Sequence, residues 1–431
     1  MKTPIVLSDD FSGILDQLEY TRDNLFITGR AGTGKSTLLQ VFRNTTRKRT
    51  VVLAPTGIAA LNVRGQTIHS FFGFPPRIIN KSEIIRRKKF KIYTNIDLII
   101  IDEISMVRAD LLDNIDYFLR INRSVNQPFG GVQMVFFGDL FQLPPVVATA
   151  FEKEYFRTTY PTPYFFSAFV LQATDLKMLE LTHVYRQEEK LFIRLLDSIR
   201  LNQMDYDDLM GINERHLPIP EDKSFYITLT SRNDIANRIN DNELQAIPEA
   251  PHIFQAVISG EFNPQLYPTE IHMVLKKGAQ VMFVKNDTQK QFVNGTIGIV
   301  SDIIQDEIYV DILDENEHKT TIKLEHQEWE IIRYENDTNN PGQITSKVTG
   351  TFKQYPVKLA WAITIHKSQG KTFDKVIINM GGGAFESGQT YVALSRCRTM
   401  SGIILTHPIQ GRDIIVDERV SDYYEQIKYL S

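Results

Sequence analysis

The stretch Asn24-Leu-Phe-Ile-Thr-Gly29-Arg30-Ala31-Gly32-Thr33-Gly34-Lys35-Ser36-Thr37 decides the fold. Asn24–Thr28 is an apolar run of strand length, rich in β-branched and aromatic residues. Gly29 to Ser36 fits G-x-x-x-x-G-K-[ST] throughout, and Ser36–Arg43 carries a helical pattern. Glycines let backbone N–H groups close around phosphate oxygens, and the helix that follows adds the positive end of its dipole. In such a loop Lys35 reaches the β- and γ-phosphates and Ser36 holds Mg²⁺. Gly29, Ala31, Gly32, Thr33, Gly34 and Thr37 complete the cradle. A second Gly-Lys-Thr, at Gly370–Thr372, has isoleucine where the upstream glycine belongs, so it is not a phosphate loop.

Outward from this loop, Thr50–Ala54, Leu98–Ile101 and Val132–Phe137 read as further buried strands. Helical stretches such as Ala109–Ile121 lie between them. Such alternation predicts a parallel sheet with crossover helices. A second series (Phe225–Leu229, Asp234–Gln245, Leu359–Ala362, Lys375–Ile378, Gly402–Thr406) predicts a second α/β unit. From Pro248 to Pro356 the pattern changes to short strands, Ala279–Lys285, Thr296–Asp302, Glu307–Leu313 and Lys319–Leu324. Polar turns such as Asn294-Gly295 separate them. This region reads as a small antiparallel barrel inserted in the second unit, and Asn336–Gly342 reads as a loop.

Leu98-Ile-Ile-Ile-Asp102-Glu103 is an apolar strand ending in two carboxylates. Phosphoryl hydrolysis needs that pair, one carboxylate on the metal and one to orient and deprotonate water. Asp102 is assigned to Mg²⁺ and Glu103 to the water. No Asn-Lys-x-Asp base-reading motif follows, so the nucleotide is ATP rather than GTP. Gln142, in Gly138-Asp-Leu-Phe-Gln-Leu-Pro144 after a strand, is placed to report on the γ-phosphate. Arg186 and Arg396 stand outside the first unit. An arginine supplied across a cleft stabilises charge on the transferring phosphoryl group, but viewed singly each is more often a surface ion-pair partner.

The 431 residues are 42% hydrophobic and 23% charged, which argues against a disordered or coiled-coil chain. The single cysteine, Cys397, excludes an intrachain disulfide and zinc sites built on paired cysteines. No apolar run is long enough to span a bilayer, so a soluble protein of a reducing cell interior is expected. The net charge of −4 taken whole argues against nucleic acid, yet the charge is divided. Seven Lys/Arg and one acid lie between Arg77 and Lys91. Twelve acids and three Lys/Arg lie between Asp302 and Asp337. The basic run suits phosphate contacts or a solvated basic helix. In the acidic barrel Lys285 and Lys290 are the candidate local DNA contacts.

Eight motifs occur in order. They are the phosphate loop, Ala54–Ala60, Thr67–Phe71, Asp102–Met106, Gly138–Pro144, Val184–Gln187, Ile363–Gly370 and Tyr391–Cys397. The set resembles superfamily-1 DNA helicases of the petite-integration-frequency type, related to RecD-like and Dda helicases. Glu103–Leu119 resembles that subfamily's extra signature.

The resemblance implies two RecA-like domains, at 1–180 and at 181–247 with 357–431. It implies a wedge element at about 63–92 and a Src-homology-3-like barrel at 248–356. ATP would lie between the domains, completed by Arg186 and Arg396, with Gln142 and Gly370 coupling it to DNA. Gln17 is the nearest match for an adenine-reading glutamine, although it stands closer to Gly29 than the pattern asks. Single-stranded DNA would cross both domains, with translocation 5′ to 3′ on forked or structured DNA such as a quadruplex. Its implied contacts are Pro55, Thr56, Gly57, His69, Ser70, Phe71, Phe72, Thr364, His366 and Lys367, with Arg232 and Asn233 weaker. At least one of the two phenylalanines is core packing, and His366 also suits a buried, non-contacting role. A compact monomeric bacterial or phage protein, nucleoid-associated in the cytoplasm, is the matching expectation. An ATP-gated DNA-binding module and a protein-displacing translocase stand as alternatives.

Overall fold

The computed structural model describes residues 9–430 apart from 288, 290, 315, 316, 338, 339 and 341. The candidate Lys290 therefore lies outside the described residues.

Six strands build the first sheet: β1 (Asn24–Gly29), β2 (Thr50–Ala54), β3 (Gln66–Thr67), β4 (Leu98–Ile101), β5 (Gln133–Phe137) and β6 (Leu176–Leu181). Their order is β3-β2-β4-β5-β1-β6, and every pairing is parallel. A parallel sheet is covered on both faces, which is why β4 is Leu-Ile-Ile-Ile with every residue buried. Side chains alternate between two cores. Leu25, Ile27, Ile100, Val135 and Phe137 meet helix α1 (Asp9–Tyr20) and helix α2 (Lys35–Thr45) on one face. Phe26, Ile99, Ile101, Met134 and Phe136 meet helix Ala109–Arg123 on the other. Strand β6 carries Lys177 and Glu180 and gives a weak apolar signal, so periodicity does not find it.

The second parallel sheet has the order Ala362–Thr364, Ile227–Thr230, Val376–Asn379, Ile403–Leu405. Leu359–Ala362, expected as one strand, divides between two sheets. Val357–Leu359 pairs antiparallel with Gln280–Phe283, and Ala362–Thr364 pairs parallel with Ile227–Thr230. The break at Ala360 and Trp361 is where the chain passes from the insert into the second unit.

In the insert, five antiparallel strands run in the order Lys319–Lys323, Glu307–Leu313, Ile297–Ile304, Gln280–Phe283, Val357–Leu359. Beyond these lies a long hairpin, Gln327–Asn336 with Ile344–Gln354, which sequence patterning leaves unrecognised. Its outer end docks on the first unit. Ile332 and Tyr334 join the core that holds Phe71 and Tyr93. The Asn95 amide donates to Asn336 Oδ1 at 2.9 Å, and Arg49 donates to the Gly342 carbonyl at 2.9 Å. The last helix, Glu418–Leu430, also packs on the first core through Val420, Tyr424 and Ile427. Among the described residues no helix is long and apolar enough to cross a membrane.

Candidate nucleotide cleft and strand-contacting residues

Strands β1, β4 and β5 end on one edge of the first sheet, where ligands of open parallel sheets bind. The phosphate loop leaves β1 there. Gly32 and Gly34 hold φ of +85° and +86°, a region that disfavours a side chain. A Cβ on Gly32 would also stand 2.5 Å from the Cβ of Arg186, so glycine at this position lets the arginine approach the loop. Lys35 opens α2. Its ammonium donates to the Gly29 and Arg30 carbonyls at 2.6 and 2.9 Å. Burial lowers the Lys35 pKa, and the charges of Asp139 and Glu103 oppose that shift. Ser36 and Thr37 are exposed at the head of the helix.

A cleft of about 1090 Å³ is lined by Ala31 to Thr37, Glu103 and Gln142 from the first unit, and by Arg186, Gly370 and Arg396. Five of the six expected catalytic residues thus meet around one space, and Asp102 precedes Glu103 at its margin. Glu103 adopts φ 52°, ψ 47° at the turn after β4. Strained backbone of this kind costs about 1–3 kcal/mol and persists where the surroundings enforce it. Burial, and then repulsion from Glu103, raises the Asp102 pKa to about 7. Burial also raises the Glu103 pKa, against the pull of Lys35 and Arg396.

Both arginines reach Ser395 of the second unit, Arg396 buried and Arg186 half-buried. Burial, and then the Arg396 charge, pushes the Arg186 pKa down to about 9. Arg186 donates to the Ser395 carbonyl at 3.1 Å. Arg396 donates to the Val392 carbonyl at 2.9 Å and to Ser395 Oγ at 2.8 Å. Two like charges in a desolvated cleft favour an anion between them.

Ser36 and Asp102 offer a hydroxyl and a carboxylate, hard oxygen donors that suit Mg²⁺. Among the described residues no group of three His, Cys, Asp or Glu side chains gathers as a metal cage. Mg²⁺ is commonly held by one or two carboxylates plus substrate phosphates, so this sparse donor set fits it.

Other expected residues need correction. Gln17 does not line the cleft. It lies six residues beyond Phe11, which is the α1 side chain that reaches Gly34. Six residues of helix are roughly 9 Å. Phe72 is 0% exposed and Phe71 6%, both in the first core, so neither presents a face to a base. Thr364 is buried and its hydroxyl accepts from the Lys367 N–H at 3.3 Å. Lys285 is occupied, donating to the Glu328 carbonyl and standing 5.1 Å over the Trp329 ring.

The remaining strand candidates stay accessible in part. Pro55, Thr56, Gly57 and His69 are half-buried and Ser70 is exposed. Thr56 caps the next helix by accepting from the Ala59 N–H. A Cβ on Gly57 would collide with Leu266 of the insert, so that segment lies directly over the Thr56–Gly57 turn. His366 Nε2 is 3.0 Å from Glu386, and Lys367 is exposed. Arg232 and Asn233 are exposed at the head of helix Asn233–Ala246, with Arg232 paired to Asp234 at 2.9 Å.

In the basic run Arg77 pairs with Glu83 at 2.6 Å, and Arg87 donates to the Phe72 and Gly73 carbonyls. Lys88, Lys89 and Lys91 are exposed. A groove of about 480 Å³ separates Ser70, Arg87, Lys88 and Lys89 from Arg333 of the docked hairpin.

Sequence reasoning missed Arg200, Asp139, Tyr391 and Gln187 as members of the site. Asp139 and Arg200 form a buried pair at 3.1 Å. The Gln187 amide donates to the Ser395 and Cys397 carbonyls at 3.2 and 2.9 Å. Asp139, Gln187 and Tyr391 stand inside the recognised motifs, so the signal was present. Arg200 ends the amphipathic helix Lys190–Arg200, where nothing in the pattern marks it.

The arrangement is that of a nucleoside-triphosphate hydrolase whose site is completed between two α/β units. A profile described as PIF1-like helicase matches residues 7–207. The ATP-dependent DNA helicase Pif1 of Bdellovibrio bacteriovorus is 31% identical over 99% of this chain and 93% of its own. The ATP-dependent DNA helicase PIF1 of Xenopus laevis is 33% identical over 94% of this chain. The chain spans 62% of the length of that relative. The structure of Bacteroides sp Pif1 in complex with ADP-AlF4 matches with a TM-score of 0.90 and 36% identity, over 99% of this chain and 98% of that one. The chain belongs to the PIF1-like helicase family.

Proposed function

We propose that this protein is an ATP-dependent DNA helicase that steps 5′ to 3′ along single-stranded DNA and opens duplex or folded DNA ahead of it. The observation that carries the reading is the single cleft in which the phosphate loop, Glu103 and Gln142 face Arg186 and Arg396. Family relatives named as ATP-dependent DNA helicases support it.

In this reading Lys35 leaves the loop carbonyls for the β- and γ-phosphates. Glu103 orients the attacking water and accepts its proton, a role suited by a carboxyl whose pKa is raised by burial. Arg186 and Arg396 give up main-chain acceptors for the γ-phosphate, which neutralises their mutual repulsion. That exchange closes the cleft, and hydrolysis releases it. Ser36 and Asp102 would hold Mg²⁺, which supplies charge neutralisation on the β- and γ-oxygens.

The strand path runs over Pro55–Gly57, His69 and Ser70 in the first unit and past His366 and Lys367 in the second. Arg232 and Asn233 are additional contacts. The chain divides at about residues 181, 248 and 360, since Val357–Leu359 still pairs within the insert, with the barrel as a Src-homology-3-like insert. Lys88, Lys89 and Lys91 serve as phosphate contacts beside the wedge.

Duplexes bearing either a 5′ or a 3′ single-stranded tail test the reading, with strand separation followed by fluorescence in ATP and Mg²⁺. Opening from the 5′-tailed substrate is the expected result. Opening only from the 3′ tail overturns the polarity. ATP hydrolysis without strand separation favours a translocase that displaces bound proteins.

A further inference from the structure

One hydroxyl joins the phosphate loop, the Gly138–Pro144 loop and the second unit. Tyr391 Oη accepts from the Ala31 N–H at 2.9 Å and donates to Asp139 Oδ2 at 3.2 Å. Asp139 Oδ2 also accepts from the Gln142 amide at 3.3 Å, and its Oδ1 accepts from Arg200 at 3.1 and 3.2 Å. All four side chains are at least nine-tenths buried, Tyr391 and Arg200 at 2% exposure, Asp139 at 1% and Gln142 at 7%. Water does not readily replace a lost partner in such a setting, so each bond is set against the cost of an orphaned polar group.

Tyr391 belongs to helix Gln389–Leu394 of the second unit, five residues before Arg396. Among the described residues, no other side chain from outside the phosphate loop bonds one of its backbone N–H groups. The Tyr391 hydroxyl therefore registers the position of the loop. Through Asp139 it also registers whether Gln142 is turned back or turned out. A Gln142 amide that moves to the γ-phosphate or the attacking water must leave Asp139 Oδ2. Asp139 Oδ2 is then held on this side by the Tyr391 hydroxyl alone, the bond that ties it to the second unit. With Gln142 on Asp139, as here, or turned to the nucleotide, the network would have the two arrangements that a coupling element requires.

We infer that Tyr391 is a positioning residue that transmits the nucleotide state of the phosphate loop and Gln142 to the second unit, and so to its grip on single-stranded DNA. The inference deepens the helicase reading and rests on it. Tyr391→Phe removes one oxygen and keeps the ring.

The test measures the Kd of the full chain for a fluorescent oligothymidine, first without nucleotide and then with ADP, aluminium fluoride and Mg²⁺. The ratio of the two values is the coupling. For coupled sites it typically spans about 5–150-fold. In Tyr391→Phe the ratio is expected to fall to within about twofold of one, while the nucleotide-free Kd stays within about twofold of wild type. A variant that keeps the wild-type ratio overturns the inference, whatever its melting temperature. Loss of nucleotide binding would also bring the ratio to one, so the second Kd is taken at a nucleotide concentration shown to saturate the variant, while general loss of structure would weaken both affinities together. Failure of the helicase reading shows separately. A wild-type chain that binds no oligonucleotide, or whose ratio is already one, removes the coupling that Tyr391 is inferred to carry.

Discussion

The backbone N–H of Val52 donates to the hydroxyl of Tyr334 at 3.1 Å, across 282 residues of sequence. On that side of β2 the neighbouring strand β3 pairs only with Leu53 and Ala54. The Val52 N–H would be a buried donor without a partner, and the docked hairpin supplies one. The Tyr334 N–H donates in turn to Gln66 Oε1 at 3.3 Å, and its ring meets Phe71 edge-on. An insert of the second unit thereby completes the edge of the first sheet.

Tyr334→Phe keeps the ring and orphans the Val52 amide, at a cost of about 1–3 kcal/mol. Hydrogen exchange at the Val52 amide is expected to accelerate about tenfold or more, with β4 and β5 protected as before. Unchanged protection at Val52 would count against the docking.

Glu103→Gln preserves size and removes the proton acceptor. DNA-stimulated ATP turnover should fall by about 10²–10⁴-fold, the range for loss of a general base. Nucleotide affinity, read by a fluorescent ATP analogue, should stay within about threefold of wild type. Equal turnover in the two proteins would remove Glu103 from the reaction.

Arg186 and Arg396 act on the same developing charge. Arg186→Ala and Arg396→Ala are each expected to lower kcat by about 10³–10⁵-fold. Lysine should not restore either, because an ammonium lacks the planar fork that spans two acceptors. Full activity in Arg186→Lys would show that charge alone suffices there.

Phe72 is wholly buried, edge-on to Phe118 at 5.2 Å and stacked on Phe74 at 5.5 Å. Phe72→Ala should cost about 3–5 kcal/mol through the cavity it leaves. Folded molecules of that variant should bind oligothymidine as wild type does. A base-stacking residue would show the reverse, with affinity lost and chemical stability kept.

Asp102 gives a pH signature. Its carboxyl is raised above the ordinary carboxylate range, to about 7, first by burial and then by Glu103. The folded state thus binds this proton more tightly than the unfolded chain. The resulting stability is complete below about pH 4 and is lost as pH rises through about 7. Asp102→Asn is expected to melt higher than wild type at pH 8 without nucleotide, by about 2 °C or more, and the gap should close towards pH 4. A gap that widens in acid would reverse the sign of the shift.

Much of the cleft is legible along the chain because its parts are local. A phosphate loop is a strand, a glycine turn and a helix start in succession, and each is dictated by neighbouring residues. The carboxylate pair likewise follows directly from the buried strand Leu98–Ile101. DNA contacts are less legible, since an aromatic pair after a strand serves a core or a base equally well. For Phe71 and Phe72 the choice is made by Tyr93, Phe118 and Tyr334, which stand elsewhere in sequence. Gln17 fails for a related reason, because the turn of α1 that reaches Gly34 presents Phe11.

From the sequence alone come the α/β class, two parallel units, the antiparallel insert and the residues that would hold ATP. The class, the units, the insert, the phosphate loop and the carboxylate pair rest on short apolar runs and turn chemistry, whereas the roles of Arg186, Arg396 and Gly370 come from the family resemblance. Only the tertiary structure decides which distant groups satisfy one another. It brings Tyr334 to the Val52 amide, Arg200 to Asp139 and Tyr391 to the Ala31 amide. It also divides 357–364 between two sheets. Burial makes each unpaired polar group costly, so partners are chosen by what the packed chain brings within hydrogen-bond reach, and no local pattern encodes that proximity.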